Sequence, residues 1–551
     1  MQLVPQVPDT AALRKARGAF FTPEPIAQYI ADWAVRDGED RVLEPSCGEA
    51  AFLLPAAARL RALSTSPDVV PRVDGAELHD ASAASARASL IQAGADPSIK
   101  VGDFFQVEPT PNYDAVIGNP PYVRYQDFAG ESRTRARAAA LAAGVPISNL
   151  ASSWAAFTVH AALFLRQGGR LGLVLPAELL TVNYAAPVRR FLMERFASVE
   201  LVLFEERVFP GVLEEVVLLM AEGYGEGPSD HFTVAQARNA TTLAEMPIAR
   251  KWTPADVEAK WTPSLLSSDA LDAFTTLTRD SRFGTLHAWG ETTLGMVTGA
   301  NRYFALSPQR VAELGLAKSD LIRLSPPGSR HLRGLTLTAS ALTELGKAGA
   351  ATYLFRPKGE PSEAARRYIA SGEATGVNEA YKCRIRPDWW RVPLVARADL
   401  FLTYMNADTP RLCANAANAH HLNSVHGVYA HTGLKELAKS MLPLASINSM
   451  TLVGAETVGR AYGGGMLKIE PREADRLPMP GPELVASVAD ELDAIRPQVG
   501  GKLRSGKLTD AAKLVDDVLL VGALGLARSE VRALRTAHAE LTARRVARGG
   551  K

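Results

Sequence analysis

The residues best suited to chemistry in this 551-residue chain are Asn119-Pro120-Pro121-Tyr122. Two consecutive prolines neither continue a helix nor donate to a sheet ladder, so they form a stiff, extended corner. The corner presents the Asn119 side-chain carbonyl, a backbone carbonyl and the Tyr122 ring. Two acceptors can take both hydrogens of an amino group, and a flat ring can stack on the heterocycle that carries it. The same four residues also fit an ordinary loop between a strand and a helix.

The elements around the corner decide between these readings. Tyr113-Asp114-Ala115-Val116-Ile117 is an apolar run with Gly118 at its exit, which predicts a buried parallel strand. Open α/β sheets bind ligands at the carboxyl ends of such strands. Arg41 to Glu44 predicts a first strand, and Pro45-Ser46-Cys47-Gly48 a tight turn into a helix. Val73 to Leu78 predicts a second strand ending at Glu77, about thirty residues on, the length of one strand-helix-strand unit. An acid at that place commonly partners a ribose diol in nucleotide-binding α/β folds. Ile99 to Phe105 predicts a third strand ending in Asp103 and Phe104, an acid and a ring suited to an adenine. Each acid alone is better read as a solvated strand end. Three in succession before the proline corner argue for a nucleotide-like ligand.

Thr22 is predicted to cap a helix with Pro23 in its first turn and Ile26, Ile30 and Trp33 on its apolar face. A helix through Trp154, Phe157, Ala161 and Leu165 is predicted to end at Gly168-Gly169, followed by a strand over 170–176. Two further strands are predicted at 199–204 and 215–221, with Phe209 on the turn between them. The basic stretch after the corner holds Arg133, Arg135 and Arg137; it reads as a lid, a phosphate contact or a solvated helix face.

Length predicts two or three domains. The chain is 47% hydrophobic and 22% charged, an ordinary globular composition. A net charge of +2 means that any nucleic-acid affinity must come from a local basic patch. Three dispersed cysteines, Cys47, Cys383 and Cys413, suggest a reducing compartment and neither a disulfide frame nor a zinc site. Met1 to Pro5 does not resemble a signal peptide, and no run approaches the roughly 18 apolar residues of a membrane span. A cytoplasmic location, away from membranes, is expected.

Phe20-Phe21-Thr22-Pro23, Glu44-Pro45-Ser46-Cys47-Gly48, Glu77, Asp103-Phe104, Asn119-Pro120-Pro121-Tyr122 and Val208-Phe209-Pro210 occur in that order. The set resembles the gamma class of adenine-specific DNA methyltransferases found in type II restriction-modification. The motifs cover roughly residues 16 to 222. The resemblance implies that S-adenosylmethionine is the cofactor, with Phe21, Thr22 and Pro23 closing over it. It places Glu44, Pro45, Cys47 and Gly48 at the methionine end, Glu77 on the ribose, and Asp103 and Phe104 at the adenine. Asn119 borders the cofactor and, with the Pro120 carbonyl, receives the amine of a flipped adenine; Pro121 completes the corner, and Tyr122 and Phe209 stack on the base. The family turn usually carries a second glycine where this chain has Ala50, which implies reduced cofactor affinity or a differently shaped turn. The proline corner is shared with RNA and protein-glutamine methyltransferases. Ala50 also suits a weakly active DNA-binding defence component that kept the fold. A cytosine carbon-5 methyltransferase commonly uses a cysteine after proline, and no Pro-Cys pair occurs.

The second half reads as mixed strands and loops with a helical end. Domain boundaries are expected near 270 and 480: a catalytic domain over 1–270, target recognition over 271–480, and a helical region over 481–551. Thr298 to Phe304 predicts a turn carrying Asn301 and Arg302. Tyr381 to Arg391 alternates basic residues at strand spacing, which puts Lys382, Arg384 and Arg386 on one face, with Arg391 beyond. Such a face can follow the phosphates of double-stranded DNA. His420, His421, His426 and His431 are expected to serve loop or DNA-groove contacts. The basic end, including Arg535 and Arg545, suits either a DNA clamp or a solvated helix face. The expected fold is α/β: a doubly wound, Rossmann-like methyltransferase domain followed by a mixed α+β recognition domain and a helical tail. A cognate restriction endonuclease, if there is one, is expected as a separate protein, because the chain begins almost at the cofactor motifs.

Overall fold

The computed structural model describes residues 22–66, 68–206, 208–209, 215–246, 248–254 and 258–549, without the side chains of 547–549. Phe20, Phe21, Pro210 and Lys551 lie outside the described residues. The chain divides into two compact units, Met1–Ser264 and Leu265–Lys551.

The first unit is built on a nine-stranded sheet. Its elements in order are α1 (Glu24–Ala34), β1 (Val42–Glu44), α2 (Leu53–Leu63), β2 (Arg72–Glu77), α3 (Asp80–Gln92), β3 (Asp96–Val101) and β4 (Tyr113–Gly118). There follow α4 (Gly130–Ala142), α5 (Ser153–Ala162), β5 (Leu165–Pro176), α6 (Glu178–Thr181), α7 (Ala186–Arg195), β6 (Phe196–Phe204), β7 (Val216–Tyr224), β8 (Phe232–Ala237) and β9 (Arg250–Trp252). The strand order is β3-β2-β1-β4-β5-β7-β6-β8-β9. Pairing is parallel from β3 to β5, β7 runs antiparallel to both neighbours, and β8 is parallel to β6. The order reverses between β1 and β4. That switch point is where an open α/β sheet leaves a crevice outside its strand ends.

Burial explains the sequence pattern. Every residue of β4 is buried, as expected of a strand covered on both faces. One apolar cluster includes Ile26 and Ile30 of α1, Leu53 and Leu60 of α2, Val73, Ile99 and Ile117. Two boundaries differ from expectation. Leu165 is the first residue of β5, so Gly168-Gly169 lies within the strand, where pairing with β4 shifts register after Tyr113. β3 ends at Val101, which leaves Asp103 to cap a short 3-10 turn, Phe104–Gln106.

The second unit holds four small sheets of two, four, three and three strands and a largely helical end. The last helix, Arg528–Gly549, is fixed by buried ion pairs. Arg545 is paired with Glu456 at 2.9 Å, each almost wholly buried, and Arg535 with Asp516 at 2.8 Å. These two arginines therefore serve neither a DNA clamp nor a solvated face. His420, His421 and His426 are buried too, which removes them from groove contacts. Burial pushes the His421 imidazole down to about 4, and His426 hydrogen-bonds the Ile469 carbonyl at 2.7 Å. Among the described residues no group of His, Cys, Asp and Glu could hold a metal ion, and no helix is long and apolar enough to cross a membrane.

Candidate active site

The strand ends bring the predicted acids to one edge of the sheet. Glu44 ends β1, Glu77 ends β2, Asp103 follows β3 and Asn119 follows β4. β1 lies between β2 and β4, so Glu44 sits centrally. A β-carbon at Gly118 would lie 3.5 Å from Glu44 Cγ, which shows how closely the β4 exit passes the Glu44 side chain.

Glu44 is 2% exposed and accepts the Leu53 amide at 3.1 Å, in the first turn of α2. Burial raises its carboxyl well above the usual range; amides of Leu53 and Phe52 oppose the rise, and the nearby Glu77 adds to it. A buried carboxyl of this kind favours its ionised form once a cation arrives. Glu77 has a different task. Its two oxygens accept the Gly48 and His79 amides, each at 2.9 Å, which ties the turn after β1 to the end of β2.

That turn has the shape a small ligand needs. Gly48 has φ of 51°, and a β-carbon there would meet nothing within 4 Å, so the backbone faces open space. Ala50 is also left-handed, with φ of 72°, and is fully buried. The turn thus keeps the glycine-like conformation without the second glycine, at a strain of about 1–2 kcal/mol. Cys47 is buried: its amide donates to the Ala76 carbonyl at 3.0 Å, and its sulfur packs where a β-carbon on Gly75 would lie 3.1 Å away. Burial, with Glu44 and Glu77 nearby, pushes its thiol up. Cys47 shapes the turn from beneath, next to Pro45.

At the third strand end, Asp103 accepts the Phe105 amide at 3.1 Å and an Arg135 guanidinium nitrogen at 3.4 Å. Phe104 turns inward, 5% exposed, with ring centroids 5.1 Å from Phe157, 4.8 Å from His160 and 5.0 Å from Phe164. The neighbouring Phe105 is only partly buried. Sequence reasoning missed Arg135 as the partner of Asp103. Arg137 donates to the Ile147 carbonyl at 3.0 Å, so these two arginines serve the catalytic unit itself.

The proline corner is braced from three sides. Asn119 Nδ2 donates to Thr22 Oγ1 at 3.1 Å. Thr22 is therefore not the cap of α1; Pro23 takes that position, and its carbonyl accepts the Ile26 amide at 3.0 Å. The Tyr122 hydroxyl donates to the Val174 carbonyl of β5 at 2.8 Å. Ser153 Oγ donates to the Pro121 carbonyl and accepts the Val123 amide at 2.9 Å, and the Ser153 amide donates to the Val123 carbonyl at 3.0 Å. Among the described residues nothing donates to the Pro120 carbonyl. Phe209 is 5% exposed and belongs to the same apolar cluster against which Tyr122 packs. Ser153 was missed from sequence because it reads simply as the start of a helix.

The two basic stretches of the second unit meet. Residues 381–384 form a helical turn, not a strand, so Lys382, Arg384 and Arg386 do not share a face. The cause is Cys383, which is buried and lies 3.6 Å from the Thr298 carbonyl, with Pro387 ending the turn. Arg386 donates to the Val297 and Thr298 carbonyls at 2.7 and 2.8 Å and is thereby an anchor. Arg391 stacks on Trp390 at 5.0 Å and pairs with Asp388 at 3.4 Å. Asn301 and Arg302 are exposed at the start of a short helix, Asn301–Phe304.

Residues 9–244 match the family model N-6 DNA Methylase, and residues 258–520 match the C-terminal domain of the type II methyltransferase M.Eco57I. The chain is 26% identical to the type II methyltransferase M.XamI of Xanthomonas campestris pv. amaranthicola, covering 85% of each protein. It is 20% identical to M.AccI of Acinetobacter calcoaceticus over 84% of this chain and 85% of that one. The fold resembles that of MmeI, a type IIL restriction-modification enzyme solved in complex with DNA, with TM-score 0.54, 11% identity, and coverage of 94% of this chain and 75% of that one. One family model on each unit, with type II methyltransferase relatives aligned over about 85% of the chain, supports an adenine-specific DNA methyltransferase of type II restriction-modification.

Proposed function

We propose that the chain transfers a methyl group from S-adenosylmethionine to the exocyclic amine of an adenine flipped out of double-stranded DNA. The observation that carries this reading is the corner itself: Asn119, tied to Thr22, stands at the strand end beside Glu44, at the sheet's switch point. The turn at Gly48, open to a ligand, and the buried carboxyl of Glu44 fit the amino-acid end of that cofactor. Glu77 suits its ribose, Asp103 its adenine amine, and the partly exposed Phe105, with Phe104 beneath, its ring. When bound, the cofactor supplies a sulfonium methyl that is already activated for direct displacement.

The chain's own residues prepare the nucleophile. Adenine's amino nitrogen is weak because its lone pair is delocalised into the ring. Asn119 Oδ1 and the Pro120 carbonyl accept its two hydrogens, which draws the nitrogen toward a tetrahedral shape and stabilises the positive charge that develops there. Thr22 Oγ1 accepts from the Nδ2 end of the Asn119 amide and so holds that end. Tyr122, held through its hydroxyl to β5, offers its ring face to the base, and Phe209 backs the same apolar wall. Alignment and charge stabilisation are the main contributions left to the protein. The target amine is out of reach inside a duplex, so base flipping precedes transfer.

The test is single-molecule sequencing of DNA from cells expressing the chain, beside an Asn119→Ala control. Methyladenine at one recurring sequence, absent from the control, is the expected result. No mark in either sample overturns the DNA substrate and directs attention to RNA or protein.

A further inference from the structure

We propose that Tyr381, Ile385 and Val297 form the face that reads DNA bases, with Lys382, Arg384 and Arg302 holding the flanking phosphates. This rests on the methyltransferase reading and extends it to the side chains that select the sequence.

The first support is exposure. Tyr381 is 63% exposed, Ile385 56% and Val297 38%. Three large apolar side chains gathered at one place and left in water mark an interaction surface. They are gathered because their two segments are locked together. Cys383 and Arg386 bond the carbonyls of Val297 and Thr298. Gly299, with φ of 89°, passes so close that a β-carbon there would lie 3.0 Å from Lys382 Cβ and 3.2 Å from Cys383 Sγ. The face is therefore rigid before any partner arrives, which lowers the ordering cost of binding.

The second support is charge. Some exposed arginines of this unit are paired, Arg310 with Glu313 at 2.9 Å and Arg367 with Glu363 at 2.8 Å. Lys382, Arg384 and Arg302 have no acidic partner among the described residues; Lys382 lies only over the Tyr381 ring, 5.4 Å from its centroid. Three uncompensated cations around an apolar patch complement a polyanion whose groove also offers apolar contacts. DNA has both, in its phosphates and in thymine methyl groups and base faces. A purely phosphate-tracking surface would not need the exposed tyrosine and isoleucine.

The experiment uses the full chain. Sequencing first defines the methylated site; binding to duplexes with and without that site is then measured over a salt series. Lys382→Ala and Arg384→Ala are expected to weaken binding to both duplexes alike and to reduce the salt slope by about one each. Tyr381→Ala and Ile385→Ala are expected to lower the preference for the cognate duplex about tenfold, with non-specific binding within about twofold, and to relax the methylated sequence in cells. Tyr381→Phe should retain the preference. Wild-type preference in both apolar variants overturns the inference, as do unchanged salt slopes in both lysine and arginine variants; either result makes the patch a site for a protein partner. These outcomes leave the function standing if the wild type methylates DNA and Asn119→Ala does not. A wild type that does not methylate DNA brings down both readings.

Discussion

Asn119 Nδ2 donates to Thr22 Oγ1 across 3.1 Å, joining two residues 97 positions apart in the chain. One hydrogen bond thereby couples the segment expected to close over the cofactor to the amide expected to receive the target amine. Thr22→Val should keep the shape of the side chain and lose the donor-acceptor link. We expect methyl transfer to slow about tenfold with cofactor affinity within about twofold, whereas Asn119→Ala should lose activity by about a thousandfold. Single-turnover rates and calorimetric binding check both.

Ser153 makes three hydrogen bonds to the corner, one to the Pro121 carbonyl and two to the backbone of Val123. Neither proline has an N–H with which to brace the corner, and the Ser153 hydroxyl holds it through the Pro121 carbonyl. Ser153→Ala is expected to lower the transfer rate about tenfold to a hundredfold, and Ser153→Thr, which keeps the hydroxyl, to restore most of it. A thermal shift without a rate change would show a purely structural brace.

Glu44 supplies the pH dependence. Its folded carboxyl titrates above the ordinary range because it is buried. Between the two values the folded protein holds a proton that the unfolded chain has released, so its contribution to stability falls as pH rises through that window. A cationic ligand beside Glu44 reverses the preference and expels the proton. Calorimetry of S-adenosylmethionine binding in buffers of different ionisation enthalpy should show proton release, and Glu44→Gln should abolish that release.

Ala50→Gly removes the left-handed strain, worth about 1–2 kcal/mol, and also a fully buried methyl, worth about 0.8 kcal/mol. The net expectation is stabilisation of at most about 1 kcal/mol, read from denaturant midpoints. Cofactor affinity should change little, since the turn already has the required shape.

Arg545 donates to the Glu456 carboxylate and to the carbonyls of Ala407, Asp408 and Gly465. Arg545→Ala leaves Glu456 buried without its cation, so a loss of about 3–5 kcal/mol is expected in chemical denaturation.

The first unit was legible because local rules agree with the fold there. Apolar runs such as 113–117 are covered on both faces, and strand-end acids are an immediate consequence of where a parallel sheet stops. Asp103, one turn beyond its strand, and Phe104, turned into an aromatic cluster, were misplaced because the 3-10 turn has no distinct signal of its own. Long-range hydrogen bonds, Thr22 to Asn119 and Arg135 to Asp103, have no local signature either. In the second unit the two-residue spacing of Lys382, Arg384 and Arg386 suggested a strand. The buried Cys383 between them, anchored to a segment some eighty residues earlier, decided for a helical turn. The same holds for His420, His421, His426, Arg535 and Arg545, whose polar character pointed outward while ion pairs and packing took them in.

The paired prolines have a consequence for how closure of the site can be watched. Neither residue carries an exchangeable amide hydrogen, so deuterium uptake passes over Pro120 and Pro121 in silence. Val123, whose amide is donated to the Ser153 hydroxyl, is the reporter nearest the corner with a known partner. Slower isotope exchange at Val123 on adding cofactor or DNA would register tightening of the whole corner, read one residue beyond the tyrosine.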